Sequence, residues 1–273
     1  MPEGPEIRLA ADKIQQAVED KKVCVKFGLT KLKRWESKLS DVTISAIDTH
    51  GKAILTRFEN GLTVYSHNQL YGRWICTPAG EMPETNRQLR MAIHAKDQSA
   101  LLYSASDIAV LKNEELTTHP YLSKLGPDVL NPNLTSKQVA EILLSKRFRN
   151  RQLGGFLTDQ SFVAGLGNYL RCEILFAAKC HPKKTATSLS PKALNRLAKL
   201  ILEIPRQSYR HGGITNDLAA AKKLMENGAD FEAARFKVFR REGLPCYECG
   251  STIIRKNKGG QACYYCPPCQ SSN

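Results

Sequence analysis

Residues 159–176 read DQSFVAGLGNYLRCEILF. Gly165 and Gly167 flank Leu166, and glycines permit tight or left-handed turns. The apolar run that follows has helical spacing, so Asn168 is placed to cap it. The next backbone N–H groups would be free to cradle a phosphate. An ordinary helix–helix turn accounts for the glycines equally well. Just upstream, SKRFRNRQ (residues 145–152) brings Lys146, Arg147, Arg149 and Arg151 together. A solvated face alone explains these charges. Taken with the glycine turn and a basic hairpin near the end of the chain, they favour a DNA or RNA surface.

Outward from this turn, the spacing predicts a mainly helical region. Asn133 or Thr135 is a candidate cap for a helix through SKQVAEILLSK, and a second helix runs through YLRCEILFAAK. A third starts at SPKALNRLAKLILEI, with Ser190 as N-cap and Pro191 at the first helical position. Residues 215–237 have no clear reading. Toward the N-terminus, Ile7, Ala10, Ala11, Ile14 and Val18 recur at helical spacing, with Glu6 in the electropositive first turn. After Lys22 the period changes. VCVKFGL, VTISAID, KAILTRF, LTVYSHN, RQLRMAIHA and SALLYSA read as strands divided by short turns. One helix and at least six strands predict a sandwich or barrel-like β domain to about residue 124. The expected division is 1–124 for this domain, 125–133 for a linker, 134–235 for the helical domain and 236–273 for a terminal module.

The chain has 273 residues and a formal net charge of +14, from 40 Lys and Arg against 26 Asp and Glu. That excess favours a polyanionic partner or an anionic membrane surface. No run of 18 apolar residues is present and no signal-peptide pattern opens the chain, so a cytoplasmic location is the expectation. Nine cysteines are unevenly placed, with Cys246, Cys249, Cys263, Cys266 and Cys269 crowding the end. CYEC and CPPC are two CxxC pairs with 16 residues between Cys249 and Cys266. Two such knuckles at hairpin tips place four thiolates around one zinc ion. With Cys246, Cys249, Cys266 and Cys269 all engaged, the zinc has no open position and is structural. Cys263 breaks the CxxC phase and is read as a bystander. Arg255, Lys256 and Lys258 lie between the knuckles, where they can meet phosphates.

Four motifs in this order carry a resemblance: MPEGPEI at the start, HGKAIL at Lys52, GLGNYLR at Asn168, and the terminal CxxC…CxxCQ. Together they resemble the formamidopyrimidine-DNA glycosylase and endonuclease VIII family over essentially the whole chain. YSHNQLYG is closer to the bacterial endonuclease VIII branch. The resemblance implies a multidomain α+β fold: an N-terminal β-sandwich with flanking helices, a helix–two-turn–helix domain and a C-terminal zinc ribbon. It implies base-excision repair on double-stranded DNA containing oxidised bases or abasic sites, one structural Zn2+, and a monomer. The implied activity is bifunctional, a DNA glycosylase and AP lyase that removes oxidised pyrimidines and then carries out β,δ-elimination.

By the same resemblance, Pro2 becomes the N-terminus once Met1 is removed. Its secondary amine attacks C1′ and forms a Schiff base. Glu3 is the implied general acid, Glu6 a supporting carboxylate, and Lys52 the lysine at the lesion phosphate. Gln69, Leu70 and Tyr71 are implied to fill the gap left by the flipped nucleotide, with Asn168 binding phosphate. His67, Arg171 and Gln261 complete the expected DNA-binding set. The chemistry is coherent, because a terminal amine titrates near 7.7 to 8 and is partly neutral at physiological pH. Gly4 lets the chain turn so that Pro2 and Glu3 reach one sugar. Leu70 with Tyr71 suits a wedge, although the same residues could equally be sandwich core; His67 could contact phosphate or be structural.

One position departs from the family pattern. The family has an arginine five residues before the third zinc cysteine, and here that position is Gln261. Glutamine lacks the charge and the two-pronged donor geometry. The expectation is weaker or slower action on DNA with the same reaction. The alternatives are a glycosylase preferring 8-oxoguanine and formamidopyrimidines, or an attenuated damaged-DNA binder.

Overall fold

The computed structural model describes residues 2–258 and 260–271, excluding the side chain of Lys258. The chain forms two compact units: Met1–Pro2 with Glu6–Lys124, and Glu3–Pro5 with Leu125–Asn273. Among the described residues, no helix is long and apolar enough to cross a membrane.

The first unit begins with α1 (Gly4–Val18), whose Ile7, Ala11, Ile14 and Val18 are buried along one stripe. Then come β1 (Lys22–Phe27), a 3-10 turn and the short α2 (Glu36–Leu39), β2 (Val42–His50), β3 (Ala53–Phe58) and β4 (Leu62–His67). β5 (Arg73–Pro78), β6 (Leu89–His94), β7 (Gln98–Tyr103) and β8 (Asp107–Lys112) complete the strands. All pairings are antiparallel, in the order β5-β7-β6-β1-β2-β3-β4-β8. The β1–β2 link is only two residue pairs long, Lys22 with Thr43 and Val23 with Val42. On either side of this weak seam lie two four-stranded halves. Val25, Phe27, Ile93 and Leu102 from one half share a core with Ile44, Ile54, Val64 and Val110 from the other. That is a β-sandwich, with about 2 kcal/mol from each fully buried aliphatic side chain.

Two strands, β5 and β8, escape the sequence reading, which finds the other six. They occupy the two ends of the strand order. RWICTP and DIAVLK carry the unbroken apolar runs WIC and IAVL rather than an apolar–polar alternation, so the period-2 signal is missing from their sequences.

The second unit holds α3 (Ser136–Leu144), α4 (Leu153–Phe156), α5 (Asn168–Ala177), α6 (Pro191–Arg210), α7 (Leu218–Glu226) and α8 (Phe231–Ala234). It ends in a hairpin of β9 (Ile254–Lys258) and β10 (Gln261–Tyr265). Thr135 caps α3 by accepting from the Gln138 N–H, and Ser190 caps α6 by accepting from the Ala193 N–H. α6 runs through Pro205 to Arg210 and stops within YRHGG (residues 209–213), the segment whose two glycines mark the expected end. Phe148, Phe156 and Phe162 pack ring on ring, with centroids 5.1–5.4 Å apart, under the turn between α4 and α5. The unread stretch from residue 215 folds as α7 and α8, capped by Asp217 and Asp230.

Candidate functional site

The start of α5 is where the glycine turn acts. Gly167 is its N-cap, and Asn168 is the first helical residue rather than the cap. The Gln160 side chain braces the turn, donating to the Leu166 carbonyl at 2.7 Å and accepting from the Gly165 N–H at 3.0 Å. Gly165 has φ +98°, a conformation glycine adopts without strain. The helix-start amides expected to cradle a phosphate are occupied. The Tyr169 N–H donates to Glu3 Oε1 at 2.8 Å and the Leu170 N–H to Glu3 Oε2 at 3.3 Å. Glu3 is 3% exposed. The Gly4 N–H donates to the Gly165 carbonyl at 2.8 Å, so the backbone directly after Glu3 is tied to the same turn. Two amide donors and the positive end of a helix favour the ionised form of Glu3, and its burial opposes them.

Asn168 Oδ1 accepts from Arg171 Nη2 at 2.5 Å. The same nitrogen donates to the Ala262 carbonyl at 3.1 Å, and Nη1 donates to the Gly154 carbonyl at 2.7 Å. Arg171 is 0% exposed, so it cannot itself grip a backbone phosphate. Its expected direct DNA contact is replaced by a bracket that orients the Asn168 amide and ties α5 to the strand beginning at Gln261. Gln261 opens β10 opposite Lys258, and its side chain is exposed. Arg255 lies 3.8 Å from Glu242 as an ion pair and Lys256 is exposed on β9.

In the first unit, Pro2 is half-buried and Glu6 sits in the opening turn of α1. Glu6 borders a cleft of about 250 Å³ with Lys13, Arg73 and Trp74. Lys52 follows Gly51 (φ +63°) in the β2–β3 turn and is buried. Leu70 and Tyr71 are 59% and 70% exposed, which excludes the reading of them as sandwich core. Gln69 beside them is exposed. His67 ends β4 in register with Asp107 and Ala53, edge-on to the Tyr121 ring with centroids 5.0 Å apart. Burial pushes its pKa down; Asp107 opposes that and the Lys52 ammonium adds to it.

The four cysteines of the two CxxC pairs converge. Their Sγ atoms all lie within 4.8 Å of one another, with Cys246–Cys269 at 3.9 Å and Cys249–Cys266 at 3.4 Å. A tetrahedral zinc–thiolate site needs sulfurs about 3.8 Å apart, given Zn–S bonds of about 2.3 Å. The donor set therefore fits zinc. The Glu248 N–H points at Cys246 Sγ from 3.4 Å, the kind of amide contact that steadies a thiolate. When bound, the ion contributes folding energy and offers no open position for catalysis. Cys263 is separate from this set: it is buried against Cys172 of α5 and the two thiols are hydrogen-bonded. A tight zinc chelator, or Cys246→Ser, is expected to strip hydrogen-exchange protection from residues 244–270 and leave the sandwich strands protected. Unchanged exchange across the hairpin would rule out a folding role for the ion.

The sequence reading assigns no role to two residues that hold this unit together. Glu173 is buried and accepts from the backbone N–H groups of Lys237, Val238 and Phe239 at 2.8–2.9 Å and from Thr215 Oγ1 at 3.1 Å. It fixes the segment that leads into the cysteine module. Gln270 accepts from the Cys266 N–H and donates to the Cys180 carbonyl, each at 3.0 Å. The only hint of its role is its place directly after the last CxxC.

Residues 1–106 match the formamidopyrimidine-DNA glycosylase N-terminal domain, and residues 125–219 match the formamidopyrimidine-DNA glycosylase H2TH domain. The chain is 49% identical to "Endonuclease 8" of Escherichia coli (strain K12 / DH10B) over 271 residues, covering 99% of this chain and 100% of that protein. It is 48% identical to "Endonuclease 8" of Salmonella arizonae with the same coverage. The solved complex of Lactococcus lactis Fpg with an abasic site containing DNA has the same fold, with a TM-score of 0.81 at 20% identity over 99% of this chain and 100% of that one. With both domain families matched in order and near-half identity along the whole length, the chain belongs to the formamidopyrimidine-DNA glycosylase family, among the bacterial endonuclease 8 proteins.

Proposed function

We propose that the chain excises oxidised pyrimidines from duplex DNA through a Schiff base on the Pro2 nitrogen and then cuts the abasic site by β,δ-elimination. Its activity is that of a bifunctional glycosylase and AP lyase on oxidised bases; the pyrimidine preference and the assignment of roles are the finer reading. The observation that carries it is the buried Glu3 carboxylate, fixed at the start of α5 by two amides and joined by one peptide bond to Pro2. As the Pro2 nitrogen attacks C1′, the bond to the base breaks and the base leaves with its electron pair, taking a proton from solvent; Glu3 accepts the proton that the nitrogen then sheds. Returning that proton to the ring oxygen opens the sugar and leaves the iminium, so proton and charge balance. Lys52 and Asn168 then hold phosphates flanking the lesion, and Leu70 with Tyr71 fills the vacated stack. The reading places a monomer on the nucleoid in the cytoplasm.

The test is a comparison of rates on matched duplexes carrying thymine glycol or 8-oxoguanine opposite cytosine. Faster release of thymine glycol, with phosphate at both ends of the gap, is expected. An 8-oxoguanine preference would overturn the pyrimidine assignment. Products that keep an unsaturated aldehyde sugar remnant at the 3′ end of the gap would remove the second elimination.

Gln261 gives a separate expectation. Gln261→Arg adds one cation at the exposed start of β10, so DNA binding should tighten. The slope of log K against log salt should steepen by about 0.9, one phosphate's worth. An unchanged slope would show that no phosphate passes this position.

A further inference from the structure

The loop carrying Gln69, Leu70 and Tyr71 is braced before any DNA arrives. Gln69 has φ +51°, a left-handed conformation that costs a non-glycine residue about 1 kcal/mol. Something must hold it there. The Gln69 N–H donates to His67 Nδ1 at 2.9 Å. Gln69 Oε1 accepts from Ser106 Oγ at 3.1 Å, the Tyr71 carbonyl accepts from Arg87 Nη1 at 2.5 Å, and the Gly72 N–H closes the turn onto the Asn68 carbonyl at 2.7 Å. Gly72 has no room for a side chain, since a Cβ there would fall 2.6 Å from the Asn68 oxygen. The result is a short loop whose backbone is fixed while its two apolar tips stay exposed.

His67 is the strand-end anchor of this brace. An Nδ1 that accepts a backbone N–H carries no proton, so the ring is neutral with its hydrogen on Nε2. The groups that face it are Asp107 from β8, Lys52 from the β2–β3 turn and the Tyr121 ring. Burial and Lys52 both disfavour the charged ring, which would otherwise turn the acceptor into a donor. The bond spans residue i to i+2, the spacing at which an Asn or Asp side chain closes an Asx turn.

We propose that His67 is a positioning residue for base excision, holding the Gln69–Leu70–Tyr71 wedge in its exposed geometry by accepting the Gln69 N–H, rather than a group that contacts DNA. This rests on the glycosylase reading above and deepens it. A wedge already in shape enters the duplex without first having to order, which strengthens productive binding.

The spacing supplies its own test. His67→Phe keeps a ring against Tyr121 and removes the acceptor. His67→Asn restores an acceptor at the i+2 spacing. On a thymine glycol duplex, His67→Phe is expected to lower kcat/KM about five- to tenfold, and His67→Asn to recover to within about twofold of the parent. In a Leu70→Ala background, where the wedge is already blunted, His67→Phe is expected to add little further loss. Thermal melting of each variant accompanies the assay, so a folding defect is recognised as such. If His67→Asn melts normally and stays as slow as His67→Phe, the acceptor is not what matters and the proposal fails. Fully multiplying losses in the double variant would likewise overturn it, because a direct DNA contact acts independently of the wedge. If the parent protein does not process thymine glycol, the glycosylase reading fails instead, and the two failures are told apart by that control.

Discussion

Protein carrying an extra residue ahead of Pro2 is expected to give no borohydride-trapped adduct with an abasic duplex. Its strand cleavage should fall by about three orders of magnitude or more. The reason is chemical: once the nitrogen is an amide, its lone pair is delocalised into the carbonyl and cannot form an iminium. An ordinary lysine amine titrates near 10.4, whereas a terminal amine titrates near 7.7 to 8 and is partly free at neutral pH. Pro2→Gly keeps a terminal amine and should retain part of the adduct, which separates loss of nucleophile from loss of fold. An adduct of normal yield from the blocked protein would move the chemistry to another amine, with Lys52 as the first to examine. Met1 lies outside the described residues, so its removal is itself checked by intact mass.

Gly167→Ala is expected to cost at least about 100-fold in base excision. A Cβ at this position would sit 2.3 Å from Glu3 Cδ and 2.5 Å from Oε1. The backbone there has φ −140°, which alanine adopts freely, so the substitution acts through space alone. The carboxylate must leave, and the Tyr169 and Leu170 amides lose their partner. Glu3→Gln should cost a comparable factor for a different reason: its amide can accept from one backbone N–H but turns an N–H of its own toward the other. Because both changes strike the same bond pair, the double variant should be little worse than either single one. The Pro2 amine is untouched, so borohydride trapping on a preformed abasic site should persist in Gly167→Ala. Full excision activity in a correctly folded Gly167→Ala would sink the role of the Glu3–α5 cap.

These experiments bear on features of unequal legibility. The cysteine module is plain in the sequence because its chemistry is local. Thiolates with two residues between them on a knuckle, repeated once, can do little else, and the four sulfurs do converge. The sandwich strands are legible wherever a strand buries one face. β1 shows strict alternation of buried and exposed positions. α6 announces its start through Ser190 and Pro191 because capping is a matter of three residues. The β5 and β8 edges leave weaker traces, since their apolar residues fall in the unbroken runs WIC and IAVL.

The sequence by itself determined which chemical groups are available: a secondary amine next to a carboxylate, a paired-knuckle thiolate set, a glycine turn before a helix and an excess of positive charge. It also determined the strand and helix periods, which are set by neighbours a few residues apart. Only the tertiary structure decided what those groups meet. Glu3 caps a helix 166 positions away and occupies the amides that looked free for phosphate. Arg171 turns inward to bracket Asn168 and a strand 91 positions on, leaving the phosphate to others. Leu70 and Tyr71 are exposed beside a left-handed Gln69 whose N–H rests on His67 and whose Oε1 rests on Ser106. The physical reason is common to all three. A polar group's partner and a side chain's exposure are settled by which surfaces folding brings together, and that information is spread over the chain rather than written beside the residue.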